Sequence, residues 1–252
     1  MDPALLAFVV LVAIGGYVQT VAGFAMGMII LTGATALGLY ALPVIAAVVS
    51  LVSLLNIAFS LHGHYHRIHR AGLRWLLVGQ VPAIALGVVL LGFLDANAER
   101  VLRGLLGAFI VLGCGAMMLR PTPRGVLSTS PAFLGAGLAG GLLAGLFAAS
   151  GPVLGWFLYR QPLQVAEIRA TLLATFAFST LLRTLVVGAE GGLTTQVWTL
   201  AGFSVGAVLF SVWLARRFPP PIPEAALRRT AFALLTLMGL SILAGALAPS
   251  LF

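Results

Sequence analysis

The sequence predicts an all-α polytopic membrane protein built from two inverted repeats, and three observations support this fold class. Of the 252 residues, 61% are hydrophobic and only 8% are charged, whereas soluble domains carry about 25% charged residues. The mean hydropathy of +1.12 requires that most of the surface faces lipid. Long apolar blocks also recur along the whole chain. This composition excludes an ordinary soluble enzyme.

The chain divides into eight apolar blocks, and a helix needs about 20 residues to cross a bilayer. Six blocks have about this length, whereas the first and the fifth have 36 and 29 residues and are interrupted near their middles by small and polar residues. The N-terminus has no basic residues, so we expect the first block to stay in the membrane rather than to be removed as a signal peptide. In order, the blocks are 4–39, 41–61, 73–94, 101–119, 131–159, 163–189, 193–214 and 227–248.

The arginines indicate which block ends face the cytoplasm, because short loops rich in basic residues stay on that side of the membrane. All 14 Lys and Arg positions are Arg, and most of them lie at block edges or in the loops after the second, fourth and seventh blocks. Asp95, Glu99 and Glu190 lie in linkers between these loops. The net charge of +8 is therefore interpreted as a topology signal, and no nucleic-acid partner is predicted.

The fifth block is predicted to be a re-entrant hairpin. Two arginine-rich loops, at 120–124 and 216–229, face the same side, so an even number of crossings must separate them. Three simple spans would give an odd number. Block 131–159 must therefore enter and leave on one side, as two half-length helices of roughly 13 residues, or about 20 Å, each.

An internal repeat extends this reasoning to the first block. Residues 23–27 (GFAMG) align with residues 151–155 (GPVLG) at an offset of 128, and Asn56 falls opposite Arg183 at an offset of 127. Each half is then a hairpin followed by three spans, and the two halves have opposite orientations. Transporters of this architecture place their substrate site near the membrane midplane. The first repeat, 1–125, comprises hairpin 4–39 and helices 41–61, 73–94 and 101–119, and the second, 126–252, comprises hairpin 131–159 and helices 163–189, 193–214 and 227–248.

A glycine-rich segment opens each half: residues 15–24 (GGYVQTVAGF) and residues 140–152 (GGLLAGLFAASGP). With these segments the whole chain resembles the sulfite exporter TauE/SafE family of bacterial inner-membrane permeases, most specifically at Ser150-Gly151-Pro152. The first half departs from that pattern in having fewer glycines after Gly23. The resemblance implies a multi-pass protein of the bacterial inner membrane that transports sulfite, small organosulfonates or related sulfur anions.

Ser150, Gly151 and Pro152 predict a helix that starts inside the membrane, because Ser is a favoured N-cap and Pro is tolerated in the first helical turn. The free N–H groups of such a start and the positive end of its dipole form an anion site without a charged side chain. Thr20 and Gly23 can act in the same way at the tip of the first hairpin. Alternatively, the glycines only permit close helix packing.

Arg183 is the Arg that lies well inside an apolar block, and an ionisable residue there suggests a functional site. Ser179 and Thr180 lie close to it in sequence, and its planar guanidinium suits an oxyanion. The alternatives are that Arg183 extends to the outer interface or pairs with Glu190. The uncharged candidates from the first half are Asn56 and Gln19, each of which could equally be a helix-packing residue.

No metal site or cofactor is predicted. His62 and His66 have the spacing of two ligands on one helical face, but no carboxylate or thiol is near them, and a solvated cytoplasmic loop is favoured. The single Cys114 excludes an internal disulfide and a cysteine-based metal site. All six carboxylates lie at block ends or in loops, which argues against a proton relay and against paired-carboxylate or Ser-His-Asp catalysis.

We therefore expect a non-enzymatic exporter that binds a small sulfur anion between the hairpin tips and works by alternating access. An anion channel and an uptake permease for a related anion are the alternatives, and a membrane-embedded enzyme or assembly factor is a third. The expected partners are the anion and the lipid bilayer, with a homodimer left open. The composition does not distinguish among the anions.

Overall fold

The computed structural model describes residues 2–22, 25–61, 63, 65–118, 122–218 and 224–247. All regular structure in these residues is helical, with one short 3₁₀ turn, Tyr65–Arg67, and no strand. The α-helices are α1 (Pro3–Ala22), α2 (Met26–Ala36), α3 (Leu42–Leu61), α4 (Arg70–Asn97), α5 (Glu99–Met118), α6 (Ser130–Phe147), α7 (Gly151–Tyr159), α8 (Val165–Ala189), α9 (Thr195–Arg217) and α10 (Glu224–Leu247).

Seven of the described helices are long and apolar enough to cross a membrane, namely α1, α3, α4, α5, α6, α8 and α9. Helix α10 occupies the last predicted span, 227–248. Helices α2 and α7 have only 11 and 9 residues, too few to span a bilayer. The protein is thus an all-α, multi-pass membrane protein, and the predicted fold class is confirmed at this level.

Each long block forms an antiparallel helical hairpin. In the first, Gly15 of α1 lies against Met26 and Leu11 lies against Gly33 of α2, so the two helices run in opposite directions. In the second, Gly140 of α6 lies against Leu154 of α7. Nearer the open end of the second hairpin, the rings of Phe133 and Phe157 meet edge to face with their centroids 5.0 Å apart.

The arms of the second hairpin are unequal, which corrects the expectation of two arms of about 13 residues. Helix α6 has 18 residues and α7 has 9. The glycines at the middle of the block do not break the helix, because they are packed against a neighbour. A Cβ on Gly141 would lie 2.8 Å from Cα of Gln80 on α4, so only glycine allows the two backbones to approach this closely.

Helix α6 runs parallel to α4 and ends before α4 does. Gly137 lies against Leu76, and Gly145 lies against Ile84 and Gly87. At the end of α6, the backbone N of Leu146 is 3.0 Å from where a Cβ on Gly87 would be. Ten residues of α4 continue beyond Gly87, a distance of about 15 Å. The second hairpin therefore turns back before the far end of the helix that supports it.

The helices of the two halves interleave. Helix α4 packs on α6 and α8, α1 packs on α9, α3 packs on α8 and α9, and α5 packs on α10. The short arms α2 and α7 pack on α3 and α8, respectively. Met26 and Gly151, the first residues of these short arms, are 125 residues apart. This spacing is three residues shorter than the offset of 128 in the sequence alignment. The first two aligned residues, Gly23 and Phe24, lie outside the described part of the chain.

Candidate functional site

A cavity of about 40 Å³ lies where the two hairpin tips meet, between the central part of α3 and the second half of α8. It brings together residues from both halves that are far apart in sequence. Six residues predicted from the sequence line the cavity: Gln19, Ser150, Gly151, Ser179, Thr180 and Arg183. The proposed meeting of hairpin tips, helix starts and Arg183 is therefore present in the tertiary structure.

The hairpin tips share an unusual backbone conformation. Ala25 (φ 99°) and Ala148 (φ 51°) are the non-glycine residues with positive φ in the described chain, and each lies just before a short arm. Residues with a Cβ rarely adopt this region, and such strain is often found at functional sites. The tips also touch each other, because a Cβ on Gly27 would lie 2.8 Å from the carbonyl oxygen of Ala148.

Helix α7 starts at Gly151, directly after Ser150, so the predicted helix start inside the apolar block is confirmed. The Ser150 side chain makes no capping hydrogen bond. The N–H of Leu154 donates to the Ser150 carbonyl at 3.1 Å, and Pro152 has no N–H. The start of α7 therefore provides three free N–H groups, those of Ser150, Gly151 and Val153, rather than the usual four.

The start of α2 is organised differently, because a side chain caps it. The N–H of Met26 donates to Oε1 of Gln19 at 3.2 Å. The residues that follow, Gly27 and Met28, line the cavity. Gln19 thus occupies part of the positive helix end and faces the cavity, whereas Gly23 lies outside the described residues.

Thr20 and Asn56 do not line the cavity. Asn56 is fully buried and donates through Nδ2 to the Gly16 carbonyl at 3.3 Å and to the Thr20 hydroxyl at 3.2 Å. Its Oδ1 accepts from Nε2 of Gln19 at 3.1 Å. Thr20 in turn donates to the Gly16 carbonyl at 2.8 Å. These bonds join α3 to α1, which fits the helix-packing alternative for Asn56.

Pro152 also faces away from the cavity. Its Cβ is 2.9 Å from the position of a Cβ on Gly113, so it packs against α5. Its contribution to the site is through the backbone, because it leaves the first turn of α7 without one N–H.

Arg183 is 1% exposed and is held by three hydrogen bonds to two other helices, α6 and α3. Its Nε donates to the Gly145 carbonyl of α6 at 3.0 Å. Its Nη1 donates to the Ala46 carbonyl and the Ser50 hydroxyl of α3, both at 2.9 Å. Its Nη2 is buried and has no hydrogen-bond partner. The side chain therefore points inward, and neither the interfacial position nor an ion pair with Glu190 is observed.

The cavity carries positive potential without a compensating anion. Its lining contains Arg183 and the start of α7, but no Asp or Glu. Arg103 forms an ion pair with Glu99, but neither residue lines the cavity. A buried, unpaired cation is energetically unfavourable in a membrane protein, and a bound anion would remove this penalty. The arrangement is suited to a small oxyanion.

Two cavity-lining residues with polar side chains, Ser50 and Ser53, were not predicted from the sequence. The available signal was their spacing. Ser50, Ser53, Asn56 and Ser60 recur every three or four residues in α3, and such residues share one face of a helix. In the structure this polar stripe faces the cavity at its first two positions and helix α1 at Asn56.

In the part of the chain that the structure describes, no group of three or more His, Cys, Asp or Glu side chains could hold a metal ion. His66 lies beside Arg67, with Nε of the arginine 3.4 Å from Nε2 of the histidine. His62 lies outside the described residues.

Comparisons with known proteins identify the family of the chain. The family model described as "Sulfite exporter TauE/SafE" matches residues 7–242. A relative from Cupriavidus necator, named "Probable sulfite/organosulfonate exporter TauE", is 38% identical over 239 residues, which is 95% of this chain and 93% of the relative. No solved structure matches the chain. Because both the family match and the relative extend over nearly the whole sequence, the chain belongs to the TauE/SafE sulfite exporter family.

Proposed function

We propose that the protein exports sulfite or a small organosulfonate through the cavity between its hairpin tips. Its family makes it a membrane transporter and not an enzyme. The relative's name refers to sulfite and organosulfonate export. The observation on which the proposal rests is the unpaired Nη2 of the buried Arg183 at an acid-free cavity.

Several donors are available to an anion in this cavity. Nη2 of Arg183 has two N–H bonds to offer, and the Ser150 hydroxyl makes no capping bond. The amides of Gly151 and Val153 belong to the positive end of α7. An oxyanion has several acceptor atoms and would satisfy these donors together. Nε and Nη1 of Arg183 are already hydrogen-bonded to the protein. The anion would therefore bind through Nη2 alone rather than through two guanidinium nitrogens.

The inverted repeat is part of the proposal, with 1–125 and 126–252 as its two units. In this repeat, α1 to α5 correspond in order to α6 to α10. The contact of α4 with α6 then corresponds to the contact of α9 with α1, and the contact of α3 with α9 corresponds to that of α8 with α4. The α3–α8 and α5–α10 contacts are unchanged by the exchange. This correspondence supports two units of opposite orientation, each opening with a re-entrant hairpin. Rocking of one unit against the other would expose the cavity alternately to each side.

Export is the direction that the membrane potential favours for an anion. An inside-negative potential drives one negative charge outward and releases about 2.3 kcal/mol per 100 mV. No coupling ion is then required, whereas uptake of the same anion would require one.

The arginine-rich loops support the bacterial inner membrane as the site of function. A homodimer would bury part of the exposed apolar surface, and mass measurement in lipid nanodiscs would test it.

Reconstituted protein provides the direct test of function. Liposomes containing the purified chain are loaded with sulfite, taurine, sulfoacetate or sulfate, and efflux is measured at a set inside-negative potential. We expect efflux of sulfite or a sulfonate above that of protein-free liposomes, and faster efflux when the same anion is present outside. Efflux equal to that of protein-free liposomes for all four compounds would contradict the proposal. Large currents without exchange would instead indicate an anion channel.

A further inference from the structure

A second, larger recess lies away from the transport cavity, at the predicted cytoplasmic ends of α3 and α9. We call it the α3–α9 groove. It has a volume of about 390 Å³ and is lined by Phe59, Leu209, Val212, Trp213, Arg216 and Arg217. None of these residues lines the cavity between the hairpin tips. The groove combines a basic end with an apolar floor.

The basic end is held in position by contacts to the protein. Nη2 of Arg216 donates to the carbonyl of Phe59 at 2.7 Å, in the last turn of α3, where carbonyls lack helical partners. The guanidinium of Arg217 lies 5.8 Å from the ring centroid of Phe218. Among the carboxylates whose side chains are described, none pairs with either arginine. Two adjacent cations are thus presented at one end of the groove.

The rest of the groove is aromatic and aliphatic. Trp213 is 56% exposed, and its ring contacts the rings of Phe210 and Phe218 at centroid distances of 5.9 and 6.2 Å. Tryptophan at this position is typical of the membrane–water interface. Leu209 lies two turns further into the membrane than the arginines, a distance of about 12 Å. The polar and apolar parts are therefore stacked along the membrane normal.

From this arrangement we propose that the α3–α9 groove binds one anionic phospholipid. The phosphate lies at Arg216 and Arg217, and an acyl chain lies along Leu209 and Val212. Basic pockets between transmembrane helices on the cytoplasmic side are suited to such head groups. A soluble anion would use the arginines but would leave the apolar floor uncovered. The occupant that satisfies both ends is a lipid with a negative head group.

Native mass spectrometry of the purified full-length chain in detergent tests this proposal. Dioleoylphosphatidylglycerol and dioleoylphosphatidylcholine are titrated separately, and the bound lipids are counted. We expect one site that prefers phosphatidylglycerol at least tenfold. In the double variant Arg216→Gln/Arg217→Gln the affinity should fall roughly thirtyfold, since each surface arginine contributes about 1 kcal/mol to the binding of anionic lipid.

The matched control is Arg100→Gln/Arg103→Gln, which removes the same charge from the opposite end of the bundle and should leave the site intact. Arg217→Gln alone keeps the bond from Arg216 to Phe59, so it should weaken lipid binding without lowering the unfolding temperature. Equal binding of the two lipids, or equal loss in the control, would overturn the proposal. Displacement of the lipid by equimolar glycerol phosphate would also overturn it, because the groove would then be a site for free anions.

Discussion

Arg183 on α8 and Ser50 on α3 are joined by a hydrogen bond of 2.9 Å, although 133 residues separate them in sequence. The bond is buried and links the second half of the chain to the first. The same guanidinium nitrogen also donates to the carbonyl of Ala46. One cation is therefore oriented by α3 and α6 so that its remaining nitrogen is left without a protein partner. The predictions below test what this arrangement does.

Replacing Arg183 by Lys should abolish most sulfite efflux. A single ammonium group cannot reach the acceptors on α3 and α6 and also present a donor to the cavity. A hydrogen bond to a charged group contributes about 1.5–3 kcal/mol, so we expect the efflux rate to fall by roughly tenfold to hundredfold. Efflux from proteoliposomes is the measurement. Arg103→Lys, in the exposed pair with Glu99, is the control and should transport normally. Normal efflux by Arg183→Lys would exclude the proposed recognition.

Ser50→Ala should weaken sulfite binding by about tenfold, because Nη1 of Arg183 loses one of its two acceptors and the guanidinium is less well oriented. Ser53→Ala is the matched comparison, since Ser53 lines the same cavity without a recorded bond to Arg183. We expect a smaller effect at Ser53. Isothermal titration with sulfite measures both affinities. An equal effect at the two serines would argue against orientation of Arg183 by Ser50.

Ser150→Ala should also weaken sulfite binding by roughly tenfold, through loss of one hydroxyl donor at the start of α7. Its unfolding temperature should not change, because the Ser150 side chain makes no capping hydrogen bond. Ser204→Ala is the control, since Ser204 is buried in α9 with an unpaired hydroxyl and does not line the cavity. If both variants bind sulfite like the unmodified protein, Ser150 is not a ligand.

Asn56→Leu should destabilise the protein by about 2–3 kcal/mol. The substitution removes the bonds of Asn56 to α1 and leaves the buried Nε2 of Gln19 without its partner, whereas the Gly16 carbonyl keeps its bond from the Thr20 hydroxyl. Thermal unfolding in detergent is the measurement. The residual folded protein should keep its affinity for sulfite, because Asn56 does not line the cavity. Unchanged stability together with lost binding would reassign Asn56 from packing to recognition.

Gly27→Ala should reduce transport by pushing the hairpin tips apart. The new Cβ would lie 2.8 Å from the carbonyl oxygen of Ala148, closer than real Cβ atoms approach a neighbour. Gly206→Ala is the matched control, because a Cβ there meets nothing within 4 Å. The Gly206→Ala control should not destabilise the protein, because replacing a glycine by alanine inside an exposed helix is favourable by up to about 1 kcal/mol. Normal efflux by Gly27→Ala would mean that the tips need not touch during transport.

Much of the fold could be predicted because it depends on local composition and charge. The low charge content and the apolar blocks predicted a polytopic membrane protein, and the described helices confirm it. Ser150-Gly151-Pro152 predicted the helix start at α7, because the missing proline N–H acts within one turn, although the Ser150 side chain makes no capping hydrogen bond. The unequal hairpin arms could not be predicted, since Gly141 looks like a helix breaker until the contact with Gln80 on α4 is known.

The roles of individual site residues depended on contacts between distant segments. Thr20, Asn56 and Pro152 have the same polar or small character as residues that line the cavity, yet they face neighbouring helices. Ser50 was missed because its partner, Arg183, lies in the other half of the chain. By itself, the sequence determined that the chain lies in a membrane, has interrupted long blocks and carries one cation deep inside an apolar block. Only the tertiary structure decided which polar side chains meet that cation, because helical periodicity defines a face and long-range packing defines what the face contacts.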